Sequence, residues 1–186
     1  MENQETPEKQ SSDHSSQTPE TQGQRLTVNE SQLDELRNSL KDEQNFQLAI
    51  GIGAIVTIVC AILWAVITLA TGYQIGYMAV GVGFVVGYAV RYAGKGIDQK
   101  FGVLGAVLAL LGCLLGNLFS QVGFAAEYYE VSFFEVFSVL AFGDIIDIMI
   151  ESFAIMDVLF YGIAIYEGYK FAFRQLTEDE LNQATQ

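Results

Sequence analysis

Long uncharged apolar runs separated by short polar breaks occupy the middle of the chain. Residues 46–70 and 101–126 contain no charged side chain, and both exceed the roughly 20 residues that a helix needs to cross a bilayer. Because lipid offers no partner to a free backbone amide, each span must be helical. The pattern predicts an all-α, four-span transmembrane helical bundle within a transmembrane domain at 46–173, with spans at about 46–70, 75–92, 101–121 and 152–173.

The residues before the first span have a different character. Residues 1–26 are rich in Glu, Gln, Ser and Thr and contain both prolines, so they bury too little apolar surface to offset the entropy of ordering. We predict a disordered acidic tail. Residues 27–45 begin with Thr27-Val-Asn-Glu30, which fits a capping box, and leucines then recur at helical spacing. This segment predicts an amphipathic juxtamembrane helix, with a partner-binding or self-associating coiled coil as the alternative.

An acidic segment separates the third and fourth spans. Residues 127–151 contain six carboxylates and neither Lys nor Arg. A fifth span here would place acids in hydrocarbon at about 2.5–3.5 kcal/mol each. We therefore predict an interfacial acidic hairpin over 127–151, divided at Gly143, that lies flat in the interface or is shallowly re-entrant. The name acidic hairpin is kept for residues 127–151 below.

The basic residues decide the predicted orientation. Four spans place every Lys and Arg near the membrane on one side, whereas five spans would move the last two to the other side. By the positive-inside rule, both termini are cytoplasmic and residues 174–186 form a cytoplasmic C-terminal tail. The basic residues concerned are Arg37, Lys41, Arg91, Lys95, Lys100, Lys170 and Arg174.

Composition excludes several classes of function. The chain is 51% hydrophobic and carries 9 Lys and Arg against 22 Asp and Glu, a net charge of −13, which disfavours nucleic-acid binding because phosphates need a basic surface. The single histidine, His14, lies in the polar tail, and the two cysteines, Cys60 and Cys113, lie inside apolar runs. We predict no metal site, no cofactor and no catalytic centre.

Six polar residues within or beside the spans form the candidate functional cluster. Asp157 would be costly facing lipid, so we predict that it points into the bundle and hydrogen-bonds to Asn117 or Gln121 of the third span. A proton- or cation-binding site is the alternative. At the other end of the fourth span, Glu167 can pair with Lys170 or with Arg91, as a structural ion pair or as a coupling pair.

Glycines at a spacing of four residues predict close helix contacts. Gly83 and Gly87 lie in the second span, and Gly112 and Gly116 lie in the third. Such small-xxx-small motifs let two helices approach closely. We predict packing of these two spans against each other within one chain, with self-association as the alternative.

Three runs resemble a family of small uncharacterised bacterial multi-span inner-membrane proteins of four helices. They are Gly76-Tyr-Met-Ala-Val-Gly-Val-Gly-Phe-Val-Val-Gly-Tyr-Ala-Val-Arg91 with Gly94-Lys-Gly-Ile-Asp98, then Leu110-Leu-Gly-Cys-Leu-Leu-Gly-Asn117, and Leu159-Phe-Tyr-Gly-Ile-Ala-Ile-Tyr-Glu-Gly-Tyr-Lys170. The resemblance covers the second to fourth spans. It implies the membrane topology and no particular activity.

These observations predict an integral protein of the bacterial inner membrane. The main functional hypothesis is a non-catalytic accessory or scaffold subunit, whose partners are the lipid bilayer and other membrane proteins or a second copy. The alternative is an oligomeric cation or proton channel or transporter that uses Asp157 and Glu167. A lipid-modifying enzyme is third, because nothing in the spacing of Asp157, Glu167 and the tyrosines requires a catalytic site.

Overall fold

The computed structural model describes residues 30–175, which form seven α-helices and no strand. The predicted all-α class is confirmed for this part of the chain. The predicted disordered tail, the capping box at Thr27 and most of the C-terminal tail lie outside the described residues. The helices are α1 Glu30–Asp42, α2 Phe46–Thr71, α3 Tyr77–Gly94, α4 Gln99–Tyr128, α5 Phe133–Val139, α6 Phe142–Glu151 and α7 Ile155–Phe171.

Both ends of α2 are set by local sequence. The Asn45 side chain accepts a hydrogen bond from the Leu48 amide at 2.9 Å, which satisfies one of the free donors of the first turn. At the other end Gly72 adopts a left-handed conformation with φ of 69°, and its amide donates to the Thr68 carbonyl. Glycine takes this conformation without steric cost. The chain can therefore turn sharply into α3.

Four helices, α2, α3, α4 and α7, form the core of the bundle. Helices α2 and α4 run in one direction and α3 and α7 in the other, as their paired contacts show. The interior is filled by Trp64, Val86, Phe101 and Cys113, each at most 1% exposed. The outer face of α2 instead exposes a series of large apolar side chains of the kind that a membrane covers.

Length and composition identify two helices as candidate spans. Helices α2 and α4 are long and apolar enough to cross a membrane, and the number rises to three if α6 and α7, which meet at a bend of 103°, are one broken span. Helix α3 has 18 residues and α7 has 17, so they rise only about 27 and 26 Å, less than a hydrocarbon core of about 30 Å. The described chain thus has two or three candidate spans rather than clearly four.

The region between α4 and α7 differs from its predicted boundaries. Helix α4 continues to Tyr128, seven residues beyond the predicted end of the third span at 121, and α7 begins only at Ile155. The acidic hairpin breaks at Leu140 and Ala141, not at Gly143, which lies inside α6. The reason is a cap, because the Asp144 carboxylate accepts from the Ala141 amide at 2.8 Å and so starts α6 upstream of the glycine.

The glycines pack helices within one chain, but the partners differ in part from those predicted. A Cβ built on Gly83 would lie 2.5 Å from the Ala164 carbonyl oxygen, and Gly87 likewise faces α7. Gly112 does face Val82 of α3, whereas Gly116 faces the ring of Trp64 in α2. Helix α7 presents small residues at spacings of four, so it takes the close position beside α3. The small residues at this spacing are Ala164 and Gly168, followed by Ala172 directly after the helix.

Candidate functional site

The two ends of the bundle collect different side chains. We refer to residues 72–76 and 121–157 as the acidic end, and to residues 43–45, 91–100 and 167–175 as the basic end. The six residues of the candidate cluster divide between them. Gln121 and Asp157 lie at the acidic end, with Asn117 one turn deeper, and the other three lie at the basic end, namely Glu167, Lys170 and Arg91.

Asn117 is the centre of a polar bridge at the acidic end. Its side chain is 0% exposed, its Oδ1 accepts from Gln74 Nε2 at 2.8 Å, and its Nδ2 donates to Ser152 Oγ at 3.4 Å. Gln74 belongs to the turn between α2 and α3, and Ser152 caps the end of α6. One buried amide therefore ties α4 to a turn and to the acidic hairpin. Sequence reasoning included Asn117 but missed Gln74 and Ser152.

Asp157 is buried, at 7% exposed, but its predicted partner is wrong. Its Oδ2 accepts from the Ala154 backbone amide at 2.8 Å, and within the described residues it has no hydrogen bond to Asn117 or Gln121. The cause is the late start of α7. Asp157 lies in the first turn of that helix, where a carboxylate satisfies free backbone amides and interacts favourably with the helix dipole.

Tyr161 lies one helical turn beyond Asp157, on the same face of α7. Its ring packs in the apolar core, and its hydroxyl lies beside the Asn117 amide and within electrostatic range of Asp157. The hydroxyl does not reach hydrogen-bond geometry with any group in the described part of the chain. Buried hydroxyls usually have a partner, and this one does not extend the hydrogen bonds of the polar bridge. Tyr161 therefore lies between the polar bridge and the apolar core.

The basic end shows no ion pair at Glu167 among residues 30–175, so the predicted pairing with Lys170 or Arg91 is wrong. The Lys170 ammonium lies 5.6 Å from the centre of the Tyr166 ring. The Arg91 guanidinium lies 5.5 Å from that of Tyr88. Both cations thus lie along aromatic surfaces near the helix ends, which is typical of long basic side chains at a membrane boundary.

A different set of contacts closes the basic end. Glu43 accepts from Arg174 Nη1 at 2.8 Å and lies 3.8 Å from Lys95 Nζ. Backbone hydrogen bonds support it, from the Asn45 amide to the Gly94 carbonyl and from the Arg174 amide to the Gly96 carbonyl. The start of α2, the α3–α4 connection and the end of α7 therefore meet here. In the sequence, the only indication of this contact was an acidic residue just before the first span together with basic residues between the second and third spans.

A cavity of about 1120 Å³ opens at the acidic end. Gln121, expected beside Asp157, lines this cavity instead, and so do Gln74 and Ser152 of the polar bridge. A smaller cavity of about 200 Å³ lies on the far side of Gln74, beside Asp157. The remaining lining of the larger cavity comes from α4, α5, α6 and the α4–α5 turn: Val122, Phe124, Ala125, Tyr128, Tyr129, Val131, Glu135, Val136, Val139, Leu140, Ile148 and Glu151.

The lining of this cavity offers charge and hydrogen bonds to a ligand. Two carboxylates, two amides and a hydroxyl face an otherwise apolar and aromatic wall. Within the described residues, no group of three or more His, Cys, Asp or Glu side chains could hold a metal ion. The arrangement can accept hydrogen bonds and attract a cation, and it contains no histidine or cysteine nucleophile.

Comparisons with known proteins add no assignment. The chain matches no protein-family model, no curated protein and no solved structure. The resemblance of its three glycine-rich runs to a family of small bacterial membrane proteins stays a prediction. Function must therefore be argued from the geometry of the site.

Proposed function

We propose that this protein is a non-catalytic accessory subunit of the bacterial inner membrane, with four spans and cytoplasmic termini, that binds another membrane protein. The four-span topology is supported by the alternating directions of α2, α3, α4 and α7. It is also supported by the basic residues, which lie at one end of these helices, while six carboxylates lie in the acidic hairpin at the other end.

The topology has a direct test. A phosphatase that is active only outside the cytoplasm is fused after Gln186 in one chimeric protein and at Gly143 in a second. We expect an inactive fusion at the C-terminus and an active one at Gly143. The reverse pattern, or activity at both positions, contradicts the proposed orientation.

The observation that carries the accessory role is the exposed surface of α5 and α6. Phe134 is 81% exposed, Val139 76% and Ile150 68%, and acidic side chains stand between them with no cation in the acidic hairpin. Exposed apolar patches rimmed by polar residues mark sites of contact with another protein or with a membrane. The glycine faces that could have served self-association are covered inside the chain.

The transport alternative has less support from this geometry. At mid-depth the bundle is filled by Trp64, Val86 and Cys113, and the charged groups gather at the two ends. The buried Thr57 hydroxyl donates to a carbonyl of its own helix. A conducting path needs polar or charged lining, and the described core has no continuous one. Cation flux through purified protein in liposomes, lost in Asp157→Asn, would favour transport over the accessory role.

Site-specific crosslinking tests the accessory role. A photoreactive residue placed at Phe134 should give one protein adduct of reproducible mass in membranes, because this side chain is exposed in the acidic hairpin. The matched control is Ile55, which is 60% exposed on the outer face of α2 and should face lipid. Equal protein adducts from both positions, or none from Phe134, contradict the proposal.

A partner identified in this way must also pass a second test. It should co-purify with the unlabelled wild-type protein and be lost with Phe134→Ser, whereas Ile55→Val should retain it. Co-purification that survives Phe134→Ser would place the partner elsewhere and contradict the role proposed for this surface.

A further inference from the structure

We infer that the larger cavity at the acidic end binds an amphiphile with an ammonium group at its polar end. The inference rests on the lining of the cavity, which includes Val139 but neither Phe134 nor Ile150 of the exposed surface of α5 and α6. It therefore does not depend on the accessory role, and each can fail without the other.

The apolar wall fits the alkyl chain. The cavity volume of about 1120 Å³ lies slightly above the roughly 300–1,000 Å³ of ordinary ligand sites. Val122 and Phe124 of α4 line it from one direction, and Val136, Leu140 and Ile148 of the acidic hairpin line it from the other. An alkyl chain would bury apolar surface on both walls, at about 25 cal/mol per Å² removed from water.

The charges fit the head group. Glu135 of α5 and Glu151 at the end of α6 both line the cavity, and residues 101–169 contain no Lys, Arg or His that could neutralise them from within. An ammonium group would complete a charge pair with them. A head group that presents only a phosphate or sulfate, with no ammonium group, would be repelled at the same place.

Aromatic rings and amides complete the recognition. The rings of Tyr128 and Tyr129 lie 5.1 Å apart in an edge-to-face arrangement, and both line the cavity. Tyrosine faces attract ammonium groups within about 6 Å. The Gln121 amide also lines the cavity and has no hydrogen-bond partner within residues 30–175, so it is available to the ester or hydroxyl oxygens of an amphiphile.

Two sources offer this chemistry, and they can be separated. A membrane phospholipid with an ethanolamine head carries the ammonium group at the end of the head, beyond the phosphate that links it to the two acyl chains. A free alkylammonium carries it directly on one alkyl chain. The shared feature is an ammonium group at the polar end of an amphiphile, which phosphatidylglycerol and alkyl sulfates lack.

The test is native mass spectrometry of the full-length protein in a non-ionic detergent. Each titration compares a matched pair of probes, phosphatidylethanolamine against phosphatidylglycerol with the same chains, and dodecylammonium against dodecyl sulfate. Two exposed carboxylates that contribute about 0.7 kcal/mol each correspond to a roughly tenfold preference for the ammonium probe. A preference in the first pair alone identifies phospholipid as the source, and one in the second alone identifies a single-chain amphiphile. No preference in either pair overturns the inference.

Matched variants locate the site. Glu135→Gln combined with Glu151→Gln should remove the roughly tenfold preference, whereas Asp147→Asn, an exposed acid of α6 that does not line the cavity, should retain most of it. Ala125→Phe, which extends a side chain into the cavity, should weaken binding of every probe. Thermal unfolding is measured for each variant to confirm folding. If a folded double variant keeps the preference, or Asp147→Asn abolishes it, the inference is wrong.

Discussion

Two regions hold the same helices together by different means. One is the seam, where α7 packs against α3 and α4, and the other is the acidic end. In the seam, α7 approaches α3 and α4 so closely that a Cβ on Gly168 would lie 2.6 Å from the Gly105 carbonyl oxygen. At the acidic end the helices are held by side chains, through the Asn117 bridge and the caps of α6 and α7, around an open cavity. Small residues allow backbone contact, and where they are absent polar side chains span the gap.

This difference separates stability from function. Close backbone contact gives many van der Waals contacts and leaves no space for a ligand. A bridged end with a cavity has fewer contacts and more freedom to open, which is the usual character of binding regions. We therefore expect substitutions in the seam to affect folding, and substitutions at the acidic end to have smaller effects on folding and larger effects on binding.

The largest effect is expected for Gly168→Leu. Its first side-chain carbon would meet the backbone of Gly105 and the Cβ of Ala109 at 2.7 Å, and a backbone cannot yield as a flexible side chain can. Overpacking of this kind costs about 3 kcal/mol. The measurement is the free energy of unfolding in mixed micelles, together with the yield of folded protein.

Gly162→Leu is the matched control for the seam. Gly162 lies on the same helix, and a Cβ there has nothing within 4 Å. We expect a change below about 0.5 kcal/mol. The same contrast should hold on α3, with Gly83→Leu severe and Gly81→Leu mild, because a Cβ at Gly81 is equally free. Similar losses in both members of either pair would contradict the description of the seam.

An intermediate effect is expected for Asn117→Ala. The substitution removes the hydrogen bonds to Gln74 and Ser152 and leaves a small buried void, which together cost about 1.5 kcal/mol. Ser120→Ala is the control, because Ser120 is equally buried but donates only to the Gly116 carbonyl of its own helix. Equal costs for the two variants, measured by unfolding in mixed micelles, would argue against an interhelical bridge.

A smaller effect is expected for Asp157→Ala. The change removes the carboxylate that accepts from the Ala154 amide, and loss of such a cap costs about 1 kcal/mol. Asp144→Ala removes the same bond from exposed α6 and should cost about 0.5 kcal/mol, since water can replace the lost acceptor. A shift in melting temperature for each variant provides the measurement. A larger loss for Asp144 than for Asp157 would reverse the expected order.

The smallest effect is expected for Glu43→Gln at the basic end. Glu43 pairs with Arg174 and Lys95, but its side chain is 47% exposed, and ion pairs of this kind contribute about 0–1 kcal/mol. The loss in melting temperature should shrink as salt is raised from low to about 1 M, because salt screens exposed charges. Asp42→Asn, which changes the same charge one residue earlier, is the control and should show little salt dependence.

Local patterns in the sequence were enough to predict the class of the fold. The uncharged runs predicted helices at α2 and α4, and the leucine spacing of 27–45 predicted the helix that contains α1. The acidic hairpin was predicted to be divided into two pieces, and the structure makes both of them helical. These predictions depend on the period of apolar side chains and on lipid solvation, which are properties of neighbouring residues.

The candidate site could be predicted only in part. The sequence identified Asn117, Gln121 and Asp157 as polar groups at one depth, but it assigned them to one hydrogen bond that does not form. The start of α7 at Ile155 depends on a break after Ser152, and it places Asp157 in the first turn, where the carboxylate accepts from the Ala154 amide. Boundaries of this kind are set by caps and by neighbours, so apolar periodicity does not locate them.

The sequence by itself determined the helices, the distribution of charge and the acidic character of one end. Only the tertiary structure decided that Gly83 and Gly87 face α7, that Gln74 and Ser152 meet at Asn117, and that a cavity opens beneath the acidic hairpin. The physical reason is that periodicity specifies which face of a helix is buried. Which helix covers that face depends on where small residues let two helices come into close contact.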